Sequence, residues 1–169
     1  RVPSPAELSC ADEDDPCKLP NGFVADPPLE QVVAKTVEAS LQYNTDSVSA
    51  IATLFSTKTI DDIIFQQAGS TSSEGYFVNI DKIQRQGFEL AYSVAFNDVN
   101  VGTSYNYLKA TFESPFISFS PVNPLGANRQ VSPGDIIPGQ PQHQLKLHAD
   151  WQINHEMSVG KELLYASDS

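Results

Sequence analysis

The stretch from Gln86 to Leu108 constrains the fold most, because two alternating runs meet there at a very short polar turn. In each run the larger or apolar side chains share one parity, and the other parity holds mainly small or polar residues. The two sets are Phe88, Leu90, Tyr92, Val94 and Phe96, then Val99, Val101, Thr103, Tyr105 and Tyr107. A period of two is typical of a strand with one apolar face. Because Asn97 and Asp98 favour a turn, the stretch predicts a β-hairpin.

Other parts of the chain carry strand patterns of similar length. Residues 48–67 are rich in β-branched side chains and contain no Gly or Pro, and residues 142–153 alternate most regularly. We predict strands at 48–67, 75–96, 99–111, 142–153 and 158–166. Residues 29–43 fit both a helical period and a strand alternation, and the pattern alone leaves the two open.

Charge and hydropathy exclude several classes of protein. The net charge of -11 argues against nucleic acid and against anionic membrane surfaces as partners. The apolar runs are short, so neither a transmembrane helix nor a signal-peptide core is expected.

The two cysteines, Cys10 and Cys17, lie close together in CADEDDPC. In an exported protein this spacing predicts a disulfide that closes a small loop. The alternative is a pair of free thiols in a cytosolic loop. The acidic run at 12–15 lacks the glycine and the spacing of a calcium loop, so we predict no metal site.

The connections alternate strictly between short and long. They are short at 44–46, 97–98 and 154–156 and longer at 67–74 and 112–141. Outer-membrane β-barrels show this alternation, with about ten residues of each strand crossing the lipid. Tyr43, Phe96 and Trp151 lie beside the short connections on the apolar parity, where a membrane girdle is expected.

The pattern therefore predicts an all-β fold of up-and-down antiparallel strands, part of a transmembrane outer-membrane β-barrel. About six long strands leave two unpaired edges, so the barrel is incomplete without further strands. The opposite parity supplies candidate lumen-facing residues, namely Glu89, Lys146, His148 and Asp150. No nucleophile accompanies His148 and Asp150 in a known motif, so we expect no enzyme, no catalytic residue and no cofactor.

Four segments, taken together, carry a resemblance to a known family. They are CADEDDPCKLPNGFVADPPLEQVVAKTVEASL, GYFVNIDKIQRQGFELAYS, SYNYLKATF and SPGDIIPGQPQHQLKL. In this order they resemble the C-terminal part of the β-barrel of TonB-dependent outer-membrane receptors, over nearly the whole chain. The resemblance implies a strand rather than a helix at 34–45. It also implies extracellular loops at 1–33, 68–74 and 112–141, the first of which would hold the Cys10–Cys17 disulfide.

The resemblance implies a function in the bacterial outer membrane. Such receptors take up a scarce small molecule, commonly an iron-siderophore complex, with energy relayed by TonB. Partners would be outer-membrane lipid, the ligand and TonB, the last through an N-terminal plug region that this sequence does not contain. Two alternatives remain, a secreted soluble β-sandwich binding module and a passive porin-like barrel.

Overall fold

The computed structural model describes residues 2–3, 17–18, 29–67, 74–119, 123–124 and 126–168. Within these ranges all the regular elements are β-strands. They are β1 (Cys17–Lys18), β2 (Val33–Asn44), β3 (Val48–Gln67), β4 (Glu74–Phe96), β5 (Val99–Phe112), β6 (Phe116–Phe119), β7 (Asn128–Val131), β8 (His143–Gln152) and β9 (Ser158–Ala166). This described part of the chain contains no helix long and apolar enough to span a membrane.

The long strands form one sheet in the order β2-β3-β4-β5-β8-β9. The two residues of β1 pair with Glu74 and Gly75, the first two residues of β4. β6 and β7 form a separate two-stranded sheet between β5 and β8 in the chain. Apart from this insertion and the two-residue pairing of β1 with β4, neighbours in the sheet are neighbours in sequence, as in an up-and-down meander. The prediction of an all-β, up-and-down fold with about six long strands is confirmed.

The segment expected as an irregular loop at 112–141 contains regular structure. β6 and β7 pair antiparallel, with Phe116 opposite Val131 and Phe119 opposite Asn128. Each strand has only four residues, which is too short for a period of two to emerge among the surrounding Pro and Gly residues. Pairing across the hairpin, rather than local pattern, therefore defines this element.

Short polar side chains build the short connections. The Thr45 amide donates to the Val48 carbonyl at 2.8 Å, which closes the turn after β2. Asn97 adopts a φ of 50°, the left-handed conformation that Asn tolerates better than most residues. After β8, the Asn154 side-chain oxygen accepts from the amides of Glu156 at 2.9 Å and Met157 at 3.0 Å.

One compact unit comprises Arg1–Lys35, Lys58–Gln84 and Thr111–Ile136. Its described part has a buried core, whose hydrophobic members are Val32, Ile63, Ile80, Ile83, Phe112 and Val131. The Asn79 side chain joins three backbone groups: it accepts from the Glu30 amide at 2.7 Å and donates to the carbonyls of Glu30 at 3.1 Å and Asp61 at 2.7 Å. Asp61 has a φ of 56°. Asn79 therefore fixes both the entry to β2 and an irregularity in β3.

The second unit comprises Thr36–Thr57, Arg85–Ala110 and Ile137–Ser169. Here most large apolar side chains are exposed rather than packed in a core. The exposed fraction reaches 76% at Leu41, and Tyr92, Val101, Trp151 and Leu163 are also exposed. A face of this kind needs an apolar solvent or a partner to cover it.

Candidate functional site

The registers of β5, β8 and β9 separate an apolar face from a polar one. Leu145 lies opposite Tyr105, Leu147 opposite Thr103 and Trp151 opposite Val99, all on the apolar face. On the polar face, His148 lies opposite Gly102 in β5 and Glu162 in β9. Two residues of β9 depart from this division, since Lys161 lies opposite Ala149 and Leu164 opposite Lys146.

The polar face gathers three of the four residues predicted to face a lumen. Lys146 Nζ lies 2.7 Å from Glu162 Oε2, and both side chains are nearly half exposed. Because Glu162 is the register partner of His148, this ion pair runs diagonally across the two strands. An open pocket is lined by Lys146, His148, Ser49, Ser93 and Ser104 of this face, together with Ile51, Ala91, Tyr92 and Thr103. Ammonium, imidazole and hydroxyl groups are thus available to a polar molecule.

Glycines make room for His148 and Asp150. A Cβ at Gly102 would collide with the His148 ring, 2.7 Å from Nε2 and 3.1 Å from Nδ1. A Cβ at Gly160 would likewise meet Asp150 Oδ1. The imidazole and the carboxylate therefore lie against the backbone of the neighbouring strand, which limits how far each projects from the sheet.

Glu89, the fourth predicted lumen residue, is exposed in β4. It shares its parity with Gly87, over which the Phe55 ring lies: a Cβ at Gly87 would be 3.0 Å from Phe55 Cζ. Its position thus agrees with the polar face, but Glu89 takes no part in the Lys146–Glu162 ion pair.

The three residues predicted for a membrane girdle are exposed. The fractions are 61% for Tyr43, 72% for Phe96 and 54% for Trp151. Each lies in the last two residues of its strand, before a short connection. Their exposure at these positions agrees with an interfacial location.

A second aromatic group on the apolar face was missed from the sequence. We call Phe88, Tyr105, Tyr107 and His143 the Tyr105 cluster. The Phe88 ring lies 5.7 Å from that of Tyr105 and 5.6 Å from that of Tyr107. The His143 ring lies 6.1 Å from Tyr105 and 5.2 Å from Tyr107. The parity of Tyr105 and Tyr107 was visible in the sequence, but the pairing of Tyr107 with His143 requires the register of β5 and β8.

Two sequence-based expectations concern metals and cysteines. The described ranges contain no group of three or more His, Cys, Asp or Glu residues that could hold a metal ion. The predicted Cys10–Cys17 disulfide lies outside the described residues, because Cys10 and the Cys17 side chain are not among them, and it stays a prediction.

Long meandering strands with a polar face and an exposed apolar face define the wall of a membrane β-barrel. Over residues 1–168 the chain matches the family model described as TonB dependent receptor-like, beta-barrel, and it belongs to this family. No curated protein matches the chain. The family consists of bacterial outer-membrane receptors and transporters rather than enzymes, and it implies TonB and a small-molecule ligand as general partners.

Proposed function

We propose that this chain forms part of the wall and outer loops of a receptor that imports a scarce small molecule, such as an iron-siderophore complex, with energy from TonB. The exposed apolar face of β5, β8 and β9 carries the proposal. In water such a face would be a large uncovered hydrophobic surface, whereas in a bilayer it contacts acyl chains. The family match supports the same reading and disfavours the secreted β-sandwich.

The edge strands need further partners. Among the described strands, β2 and β9 each have a sheet neighbour on one side only. An unpaired edge in lipid costs several kcal/mol for each unsatisfied backbone group. We therefore propose that both strands pair with further strands of a larger barrel.

The orientation follows from the lengths of the connections. Short turns face the periplasm and long loops face outward in barrels of this kind. Residues 1–33, 68–74 and 112–141 are then extracellular, and Tyr43, Phe96 and Trp151 lie at the periplasmic interface. A disulfide between Cys10 and Cys17 would form in an oxidising compartment.

Glu89, Lys146, His148 and Asp150 face the lumen in this arrangement. We assign Lys146 and His148 to contacts with the plug or with the passing ligand, because both line the pocket that also contains Ser49, Ser93 and Ser104. In the full-length receptor, alanine at both positions should slow uptake severalfold. Leu147→Ala, on the opposite face of the same strand, is the control and should leave uptake near wild type. Unchanged uptake in the double variant would contradict the assignment.

Energy coupling separates an active receptor from a passive porin-like barrel. Cells whose only relevant receptor is the full-length protein are given radiolabelled ferric siderophores, with and without a functional TonB. Accumulation that requires TonB supports the proposal. Equal entry in both strains would mean passive diffusion, and TonB-dependent uptake of another small molecule but of no ferric chelate would contradict the iron assignment.

A further inference from the structure

One groove on the apolar face of the sheet contains a charged side chain. We call it the Lys161 groove; its volume is about 390 Å³, and its lining surface is almost entirely apolar. Two of the nine residues that line it, Gly102 and His148, belong to the polar parity. The other seven lie on the apolar parity and are Tyr92, Val101, Thr103, Leu147, Ala149, Lys161 and Leu163.

The register of β9 gives the depth of Lys161 in the membrane. Val159 lies opposite Trp151, which the proposed orientation puts at the periplasmic interface, and Lys161 follows two residues later, opposite Ala149. Two residues of a tilted strand rise about 5 Å along the membrane normal. The lysine therefore starts inside the hydrocarbon layer, where a charge on the lipid face is destabilising unless it is paired or reaches the interface.

The carboxylates closest to Lys161 in sequence lie on the other face of the sheet. Glu162 Oε2 is 2.7 Å from Lys146 Nζ on the polar face, and Asp150 lies on that face opposite Gly160. In the described strands β5, β8 and β9, the positions of the apolar parity contain no Asp or Glu. The groove therefore matches an apolar occupant that brings one negative charge of its own.

We infer that the Lys161 groove binds a long-chain fatty acid from the periplasmic leaflet. Its carboxylate pairs with the Lys161 ammonium, and its acyl chain lies along Leu147 and Leu163. A volume of about 390 Å³ is near the lower end of the range for small-molecule pockets, about 300–1,000 Å³, and so suits one acyl chain better than the two of a phospholipid. The inference rests on the membrane placement of the apolar face in the proposed function, but not on TonB or on the imported ligand.

A photoreactive palmitic acid, with a diazirine on its chain, tests this site directly. The full-length receptor is reconstituted in phosphatidylcholine vesicles, labelled by light over a range of probe concentrations, and digested for mass spectrometry. Lys161→Met removes the charge and keeps a long apolar side chain, whereas Lys161→Arg keeps the charge. Lys109→Met is the matched control, because it removes a lysine from the same face at the opposite end of the apolar band, beyond the pairing of Tyr107 with His143.

We expect saturable labelling of wild type in β5, β8 or β9 beside the groove. Lys161→Met should need at least about tenfold more probe for half-saturation, because an ion pair in a medium of low dielectric constant is lost. Lys161→Arg and Lys109→Met should label like wild type, and the methyl ester of the probe should label all four proteins weakly. Equal half-saturation of wild type and Lys161→Met, or equal labelling by the ester, would overturn the inference.

Two other outcomes would identify a different partner of Lys161. Competition by phosphatidylglycerol at concentrations comparable to palmitic acid would mean that the groove holds a phospholipid headgroup. No saturable labelling, together with a lower melting temperature of Lys161→Met, would mean that a carboxylate on the adjacent strand of the barrel pairs with the lysine. Either result would overturn the inference.

Filling the groove provides a second kind of variant. Ala149→Leu keeps Lys161 and puts a larger side chain opposite it, and because Ala149 is exposed, the substitution does not disturb a packed core. It should weaken labelling severalfold, and unchanged labelling would mean that the probe binds outside the groove.

Labelling needs only a folded barrel in a bilayer, whereas uptake needs TonB and a ligand. Fatty-acid binding without TonB-dependent uptake would therefore leave the inference intact and contradict the proposed function. Uptake that requires TonB, in a receptor that shows no saturable labelling, would leave the proposed function intact and contradict the inference.

Discussion

Two glycines on the polar face of neighbouring strands should respond very differently to the same substitution. A Cβ at Gly87 would collide with the Tyr107 carbonyl oxygen and lie 3.0 Å from Tyr107 C and Phe55 Cζ. The backbone oxygen cannot rotate away, so β4 and β5 must separate locally. A Cβ at Gly102 would instead collide with the His148 imidazole, which can turn about its side-chain torsions.

The magnitudes follow from these contacts. Overpacking costs about 1–3 kcal/mol, and a weakened backbone hydrogen bond adds about 1 kcal/mol. We therefore expect Gly87→Ala to lower the free energy of unfolding by about 2–4 kcal/mol. For Gly102→Ala, displacement of the ring is offset by about 0.5–1 kcal/mol, because Ala loses less backbone entropy than Gly in a strand. Its net effect should stay within about 1 kcal/mol.

Urea unfolding of the full-length receptor in lipid vesicles measures both effects. Removing the obstructing side chain adds a sharper test. His148→Ala should abolish any cost of Gly102→Ala, whereas Phe55→Ala should leave most of the cost of Gly87→Ala, since the Tyr107 carbonyl remains. Equal midpoints for the two glycine variants, or full rescue of Gly87→Ala by Phe55→Ala, would mean that the Tyr107 carbonyl is not the obstacle at Gly87.

Three further experiments test local features of the fold. Asn79→Asp keeps the acceptor for the Glu30 amide but loses both donated bonds, so hydrogen exchange at Glu30 should accelerate, though less than in Asn79→Ala, which loses all three bonds; unchanged exchange in both variants would contradict the role of Asn79. The exposed Lys146–Glu162 pair should show a coupling of about 0.2–1 kcal/mol in a double-mutant cycle, and a much larger value would mean that the face is dry. Asn97→Gly should raise thermal stability slightly, because glycine adopts positive φ without strain, whereas a lower melting temperature would speak against the turn geometry.

The long strands could be predicted because the side chains on one face of each strand are mainly apolar and those on the other are mainly small or polar. In β8 every second residue from Leu145 is apolar, so the period of two is visible in the sequence. β2 was ambiguous because residues 29–43 also satisfy a helical period, and only the resemblance to a family decided for a strand. The structure has this strand at Val33–Asn44.

The features that escaped prediction depend on contacts between distant residues. The positive φ of Asp61 has no signature in residues 48–67, which appear as one continuous β-branched run. In the sequence, Asn79 is only a polar residue within a strand. Its structural role depends on its bonds to Glu30 and Asp61, which are distant in sequence. The meeting of Tyr107 with His143 depends on the register of β5 and β8, across a connection that includes β6 and β7.

Spin labels at Leu147 and His148 can show whether the apolar face of this sheet contacts lipid. The two residues are adjacent in β8 and lie on opposite faces. Each label is attached to the full-length receptor in vesicles, with Cys10 and Cys17 replaced by serine. The label at Leu147 should collide with oxygen dissolved in the bilayer and be protected from a water-soluble nickel chelate, and the label at His148 should show much lower access to the oxygen. Strong nickel access at Leu147, or equal oxygen access at both positions, would contradict a membrane barrel wall.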